Sequence, residues 1–370
     1  MSDSIVIAHG GDLSHQSGGT NRVSAFASGL AAKGHDVTLV APEPDGTLPD
    51  RLEALDTSFV SVPNSGVVDQ PIRAAAIARR ARSQANDSGG TVQFEHSTLG
   101  GVGQFFGERE YVLDMHDLAF ASPLYGDLPL GSAVQRVIRG IEGRAVRSAS
   151  AIVVVSENMR RLVREEWDLP AEKIRVIPNG YFADTVRPYR ADETVSGRVT
   201  FLGTLHPKLD TTAIYEIAAL PEVEEMVVIG SGAKEEELRD GKEERGLDAL
   251  RIEGHLPDDE AFRLLSRSAV AINPQHRSSL QRASSPVKIY YYAALGLPMV
   301  LSAGPSVAAK LDDEGAAKTV QSDGSFVTAV QNVLSDETQR SEMRATAERL
   351  ADEFSWSHRV ASLSEVYESV

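Results

Sequence analysis

Short runs of β-branched apolar residues alternate with longer amphipathic stretches along nearly the whole chain, and the pattern restarts once. Ile5-Val6-Ile7-Ala8, Tyr111-Val112-Leu113 and Ile152-Val153-Val154-Val155 mark the first half. Val199-Thr200-Phe201-Leu202, Val227-Val228-Ile229 and Met299-Val300-Leu301 mark the second. Runs that are apolar at successive residues suit strands covered on both faces, with helices in the stretches between them. The expected fold is α/β: two Rossmann-like, doubly wound parallel sheets. Residues 186–197 (Val-Arg-Pro-Tyr-Arg-Ala-Asp-Glu-Thr-Val-Ser-Gly) form a polar break between the halves. The break predicts an N-terminal domain at 1–185, a linker at 186–197, a second domain at 198–352 and a last helix within 353–370. Open parallel sheets take ligands beyond the carboxyl ends of their strands, so two sheets facing each other would hold one in a cleft.

Ser285-Pro-Val-Lys-Ile-Tyr-Tyr-Tyr-Ala-Ala-Leu-Gly-Leu-Pro-Met-Val300 is a helix-and-strand unit with both helix ends written in. Ser284 or Ser285 can cap a helix over 286–295, and Pro286 fits its first turn. Gly296 suits the left-handed position after its end, and Pro298 prevents continuation. A helix start carrying Lys288 in its first turn can receive an anion such as a diphosphate. The first loop, Gly10-Gly11 and then Ser17-Gly18-Gly19-Thr20, also joins a strand to a helix. Glycines there let the backbone approach a ligand closely. The loop ends in no Gly-Lys-Ser/Thr and is not Gly-x-Gly-x-x-Gly, and its residues alone fit a tight turn equally well. His116 and Asp117 close an apolar strand, where doubly wound proteins place functional groups. A structural histidine bonded to backbone would look the same.

These pieces, in this order, resemble the GT-B glycosyltransferases, chiefly the retaining family 4. Residues 285–300 resemble its Ser/Asn-Pro-x-Lys-Leu-x-Glu-Tyr-x-Ala-x-Gly-x-Pro-Val signature. Lys173-Ile-Arg-Val-Ile-Pro-Asn-Gly180 resembles its Lys-Ile-x-Val-Ile-Pro-Asn-Gly run. Gly34 to Val37, Tyr111 to Leu118, Ile152 to Glu157, Val199 to Lys208, Val227 to Gly232, Glu253 to Leu256 and Phe354-Ser-Trp356 are also similar to family segments. The resemblance covers nearly the whole chain. It implies transfer of a sugar from a nucleotide diphosphate donor to a lipid-linked or glycan acceptor, in surface glycan or glycoprotein biosynthesis. It also implies retention of anomeric configuration and a C-terminal helix that crosses back to the N-terminal domain.

On that resemblance His116 contacts the donor sugar, while Lys208 and Lys288 neutralise the leaving diphosphate. Donor-binding positions would be Gly18, Gly19, Gly203, Thr204, His206, Gly230, His255, Leu256, Ser284, Ser285 and Tyr291. No cofactor is expected beyond the nucleotide sugar, which is substrate, and no metal, because the histidines and carboxylates show no ligand spacing. The departing phosphate would take the acceptor's proton. The chain departs from the family pattern at three positions. Thr204 stands where an arginine is usual, with His206 a partial substitute, and Ala283 and Tyr291 stand where two glutamates contact the donor. A tyrosine hydroxyl can supply only part of a ribose contact. Two other readings remain at this point: a non-catalytic GT-B partner protein, and a nucleotide-sugar epimerase that needs no acceptor.

Charge narrows the partners. Acidic residues number 53 against 37 basic, a net charge of −16, with only eight lysines. Nucleic acid is a poor partner for such a chain. A lysine-poor, arginine-rich acidic surface suits the salt-loaded cytosol of a halophile, although an ordinary acidic bacterial protein reads similarly. The absence of cysteine excludes disulfides, thiolate metal sites and cysteine nucleophiles. No apolar run approaches the ~20 residues of a membrane span and no export signal is apparent, so a cytoplasmic location is expected. Two basic clusters stand out: Arg73, Arg79, Arg80 and Arg82, and, between Pro129 and Arg164, Arg136, Arg139, Arg144, Arg147, Arg160, Arg161 and Arg164. They could rest on the anionic inner face of the cell membrane or meet a lipid phosphate, and internal ion pairing accounts for them equally well.

Overall fold

A computed structural model describes residues 4–15, 17–62, 69–107, 110–121 and 131–370. It divides into two compact units, one made of Met1–Asn179 and Trp356–Val370, the other of Gly180–Ser355. The first unit begins with β1 (Ser4–His9), α1 (Gly18–Ala32), β2 (Asp36–Pro42), α2 (Asp50–Glu53) and β3 (Asp56–Val60). Next come α3 (Gln70–Ser88), β4 (Thr91–Glu95), α4 (Ser97–Gly103) and β5 (Tyr111–Met115). It then adds α5 (Gly131–Ser148), β6 (Ala151–Val154), α6 (Glu157–Trp167) and β7 (Ile174–Val176). The strands form one parallel sheet in the order β3-β2-β1-β4-β5-β6-β7, so the winding reverses between β1 and β4. Such a reversal opens a crevice beyond the strand ends. His9, Glu95 and Asp114 lie in register across β1, β4 and β5. Ser17 caps α1 by accepting the Thr20 amide at 3.0 Å, and Ser156 caps α6 through Met159.

The second unit runs α7 (Ala183–Val186), β8 (Val195–Leu202), α8 (Thr211–Ala218), β9 (Glu225–Ile229), α9 (Glu235–Arg245) and β10 (Leu250–Gly254). It continues with α10 (Asp258–Leu265), β11 (Ser268–Asn273), α11 (Ser279–Ala283), α12 (Val287–Ala294) and β12 (Met299–Ser302). It closes with α13 (Ser306–Asp313), β13 (Ala317–Val320), α14 (Phe326–Ser335) and α15 (Glu337–Leu350). Its parallel sheet has the order β10-β9-β8-β11-β12-β13. Both faces are covered: Leu301 joins a core with Ile229, Ile289 and Tyr292, whereas its neighbour Val300 joins Phe201, Val228 and Ile272. The pleat sends successive side chains to opposite faces, hence the continuous apolar runs.

The last helix, α16 (Trp356–Glu368), belongs to the first unit. Trp356 meets Phe26 edge-on at 5.7 Å, and Gly29 leaves room for Val360, whose Cγ2 would stand 2.5 Å from a Cβ at that glycine. Tyr367 donates its hydroxyl to the Gln93 side-chain oxygen.

Two boundaries differ from expectation. The chain changes unit at Asn179–Gly180 and Ser355–Trp356, and residues 186–197 are part of the second unit. That segment holds the 3-10 turn Arg187–Tyr189 and the start of β8, because Val186 is buried in the core and Arg190 reaches the Ala294 carbonyl at 2.5 Å. The helix expected over 286–295 spans Val287–Ala294 with Pro286 at its cap position. Ser284 instead donates to the Gln281 carbonyl at 2.7 Å, closing α11, and the Ser285 hydroxyl pairs with that of Tyr290 at 2.7 Å. Gly296 takes the left-handed conformation, φ 69°. No helix among the described residues is long and apolar enough to cross a membrane.

Candidate active site

In the first unit, polar side chains interrupt otherwise apolar strands at alternate positions and so share one face. Gln93 and Glu95 of β4, His9 of β1 and Asp114 of β5 are all buried there. Arg22, on α1 and fully buried, grips both Asp114 oxygens, Nε to Oδ2 at 2.5 Å and Nη2 to Oδ1 at 2.8 Å. Its Nη1 donates to Asn179 Oδ1 at 3.2 Å. This is the bidentate geometry that a guanidinium and a carboxylate share best. Glu95 Oε1 accepts from the Gln93 amide nitrogen. Burial, and then the neighbouring Asp114 charge, push the Glu95 carboxyl well above the usual carboxylate range, with Arg22 pulling less strongly the other way. These influences together favour the neutral acid over the carboxylate at Glu95.

Above this floor lies a pocket of about 290 Å³, lined by His9, Gly10, Gly11, Arg73, His96, His116 and Asp117 among others. Gly18 and Gly19 form the first turn of α1, and a Cβ at Gly19 would stand 3.8 Å from His116 Nε2. The structure thus brings the glycine loop and His116 together. Burial and the nearby His116 and His96 lower His9 to about 3, and burial above all lowers His116. Both rings are neutral near pH 7. His96 behaves differently. Its Nδ1 accepts the Thr98 amide at 3.3 Å, capping α4, and its Nε2 meets Asp117 Oδ1 at 2.7 Å. Burial opposes charge on His96, but Asp117 more than offsets it and the ring's pKa rises. Burial likewise pushes Asp117 up, and His96 outweighs it, holding the carboxyl below the usual range. His96 sits at φ 115°, a backbone conformation costly for a residue with a side chain.

Glu95, Asp114 and His116 each bring a potential ligand atom within 4.8 Å of the others. The donor set does not fit a resident cation. Arg22 holds both oxygens of Asp114, so a cation there would meet a guanidinium beside that carboxylate.

In the second unit, Gly203, Gly230 and Gly254 lie at the carboxyl ends of β8, β9 and β10 with φ of 126°, 134° and 71°. The Gly203 amide donates to Ile229 at 2.8 Å and the Gly230 amide to Gly254 at 2.7 Å. A Cβ at Gly230 would collide with the Gly203 carbonyl, so glycine is required. Lys288, in the first turn of α12, lies over the Phe201 ring with Nζ 3.9 Å from its centre, and against Gly203. Among the described residues neither Lys288 nor Lys208 forms an ion pair with a carboxylate. Burial, then the Lys208 charge, lower Lys288 to about 7, and burial lowers Lys208. His206 is lowered by burial and by both lysines. The Lys208 carbonyl accepts the His276 amide at 2.8 Å, tying its loop to the segment after β11.

Gly203, His206, Lys208, Gly230 and Lys288 therefore gather at one end of this sheet. Thr204 is exposed in the same loop and supplies no charge. His255 and Leu256 follow β10, two strands away from β8. Tyr291 packs edge-on against Phe262 at 5.2 Å, at the margin of the core, and Ala283 is buried in α11. Sequence reasoning missed His9, Arg22, Glu95, His96 and Asp114. The available signal was polar residues two apart in apolar strands, as in Thr91-Val-Gln-Phe-Glu95.

A family model described as a Glycosyl transferase 4-like domain matches residues 17–180, and one described as Glycosyl transferase-like matches 212–365. The chain is 25% identical to the glycogen synthase of Mycobacterium tuberculosis, over 95% of this chain and 91% of that protein. Its fold is shared with sucrose-phosphate synthase of Thermosynechococcus elongatus, at TM-score 0.78 and 16% identity over 100% of this chain and 99% of that one. HepE of Anabaena, in complex with UDP-glucose, gives TM-score 0.74 and 15% identity over 99% of this chain and 100% of its own. The first model falls on the first unit and the second on the Gly180–Ser355 unit and part of α16, and the chain belongs to the GT-B glycosyltransferases of the family 4 type.

Proposed function

We propose that this glycosyltransferase moves a sugar from a nucleoside diphosphate donor to a lipid-linked or glycan acceptor, with retention and without a metal. The observation that carries the donor class is the lysine pair. In a chain of net charge −16, Lys208 and Lys288 lie near each other at the start of α12, with no carboxylate partner among the described residues. A diphosphate is the anion whose size and charge answer two such cations and a helix N-terminus. HepE, bound to UDP-glucose, supports a sugar nucleotide. In the first unit, the neutral His9 and His116 rings beside Gly19 suit sugar hydroxyls, which want donors and acceptors rather than charge.

Retention is what membership of the family implies, and it needs no dedicated protein base because the departing phosphate can take the acceptor's proton. Burial favours the neutral form of Glu95, Asp114 is held by Arg22 and Asp117 by His96. The bond from the anomeric carbon to the departing phosphate breaks, a bond to the acceptor oxygen forms on the same face, and the acceptor's proton passes to that phosphate. The two lysines stabilise the negative charge left on the diphosphate.

A lipid-linked acceptor would place the enzyme at the inner face of the membrane, in surface glycan or glycoprotein synthesis. Some basic residues are engaged internally: Arg82 lies between the Phe94 and Tyr111 rings, Arg139 pairs with Glu166 and Arg160 with Glu157. Phe105 and Val137, however, are 70% and 63% exposed, with Arg144 over the Phe105 ring. Apolar side chains among arginines suit an anionic lipid surface. Thermal stabilisation by a panel of nucleotide sugars tests the donor assignment. A ligand that binds only the folded state at a hundred times its Kd adds ~2.7 kcal/mol. The matching donor is expected to raise Tm in the wild type and not in the Lys208→Ala, Lys288→Ala double variant, with EDTA having no effect on transfer. A panel that stabilises nothing would refute the reading.

A further inference from the structure

The floor of the first unit's pocket leaves one proton to be placed. Arg22 supplies one positive charge there and Asp114 the negative charge that neutralises it. An ionised Glu95 would add a second buried negative charge without a second cation, and protonation is the cheaper state. The position of that proton follows from the hydrogen bonds. Tyr367 donates to Gln93 Oε1, so the Gln93 amide nitrogen turns to Glu95 and donates to its Oε1. The acid hydrogen is therefore on Oε2. Glu95 Oε2 and His116 Nδ1 are both buried with no assigned hydrogen bond, and their side chains share with Asp114 a group of ligand atoms within 4.8 Å of one another. Asp114, already gripped on both oxygens by Arg22, is the competing acceptor. The other ring nitrogen, His116 Nε2, faces Gly19.

We propose that Glu95 is a positioning residue that donates its Oε2 proton to Nδ1 of His116, fixing the imidazole as the Nε2–H tautomer and aiming a neutral N–H donor at the pocket. Which ring nitrogen keeps its proton is set by the bond the other one makes. The consequence for transfer rests on the reading of His116 as a sugar-contacting residue. An N–H donor at Nε2 can serve a hydroxyl or ring oxygen of the donor sugar, which the opposite tautomer could only accept from.

Glutamine is the informative replacement. In Glu95→Gln the Oε1 still accepts from Gln93, and an amide N–H replaces the acid O–H. Nitrogen-15 spectra of histidine-labelled protein, with His116 assigned by its loss in His116→Gln, report the tautomer directly. Wild type and Glu95→Gln are expected to show Nε2–H. Glu95→Leu is expected to mix the tautomers and to lower kcat by about 10- to 100-fold, the scale for losing a group that orients a functional imidazole. Glu95→Gln should restore most of that kcat. An Nδ1–H ring in the wild type, or a tautomer indifferent to Glu95→Leu because the proton is shared with Asp114 instead, overturns the proposal. Glu95→Gln as impaired as Glu95→Leu also overturns it, since the group would then act as a carboxylate. If Glu95→Leu does not fold, the wild-type and Glu95→Gln spectra decide. A tautomer that follows Glu95 while transfer does not change upholds the pairing and refutes the role given to His116.

Discussion

Lys288 carries its amine against the Phe201 ring, with Lys208 nearby, and titrates at about 7 where a solvated lysine would stay charged to pH 10. A bound diphosphate favours the ammonium and so raises that value. The sign follows: below pH 7 the cation is already present, and above it donor binding must draw in a proton. Donor affinity is expected to weaken by up to about tenfold per pH unit above 7, until the lysine's value in the complex is reached. Calorimetry in two buffers of different ionisation enthalpy should register the proton uptake, and Lys288→Ala should remove both effects. A flat profile would show that the amine is not at the diphosphate. At this scale the two lysines, which the structure places near each other, were legible from their family positions in a chain with only eight lysines. The Glu95 and His116 pair was not. Strand register brings Glu95 level with Asp114, and nothing local in the sequence encodes that alignment.

Among elements, the ends of α12 could be read in advance because proline restricts φ and glycine opens the left-handed region at Gly296. The short α11 could not, since Ser279 to Ala283 is too brief to display a helical period; it draws Ser284 to Gln281, while Ser285 turns to the Tyr290 hydroxyl of α12. Residues 186–197 read as a linker for a related reason: Val186 is one core residue at the edge of a polar run, and a pattern search weighs the run. The contact between α1 and α16 was equally invisible, because Gly29 looks like any helical glycine until Val360 is placed above it. Gly29→Ala is expected to cost about 1–3 kcal/mol of stability through overpacking. The double variant with Val360→Ala should recover part of that loss. Denaturant unfolding checks both. An unshifted midpoint in Gly29→Ala would mean the helices separate without penalty.

For the molecule as a whole, alternating apolar runs announced two parallel sheets, and two are present. The charge of −16 sets the solution behaviour. Raising salt from about 0.1 M to about 1 M shortens the Debye length from about 10 Å to about 3 Å. Self-repulsion among the acids is then screened, and Tm should climb with KCl. A Tm that falls over that range would argue against adaptation to a salt-rich cytosol. The placement of α16 has a consequence for how the chain is made. The Gly180–Ser355 unit is one uninterrupted segment, whereas the other unit is interrupted by it and lacks Trp356, Val360, Leu363 and Tyr367 until those residues are synthesised. During translation, domains ordinarily finish from the amino end. Here the order inverts: the later-made unit can complete first, while the earlier-made sheet lacks the Trp356 that covers Phe26 until α16 is synthesised.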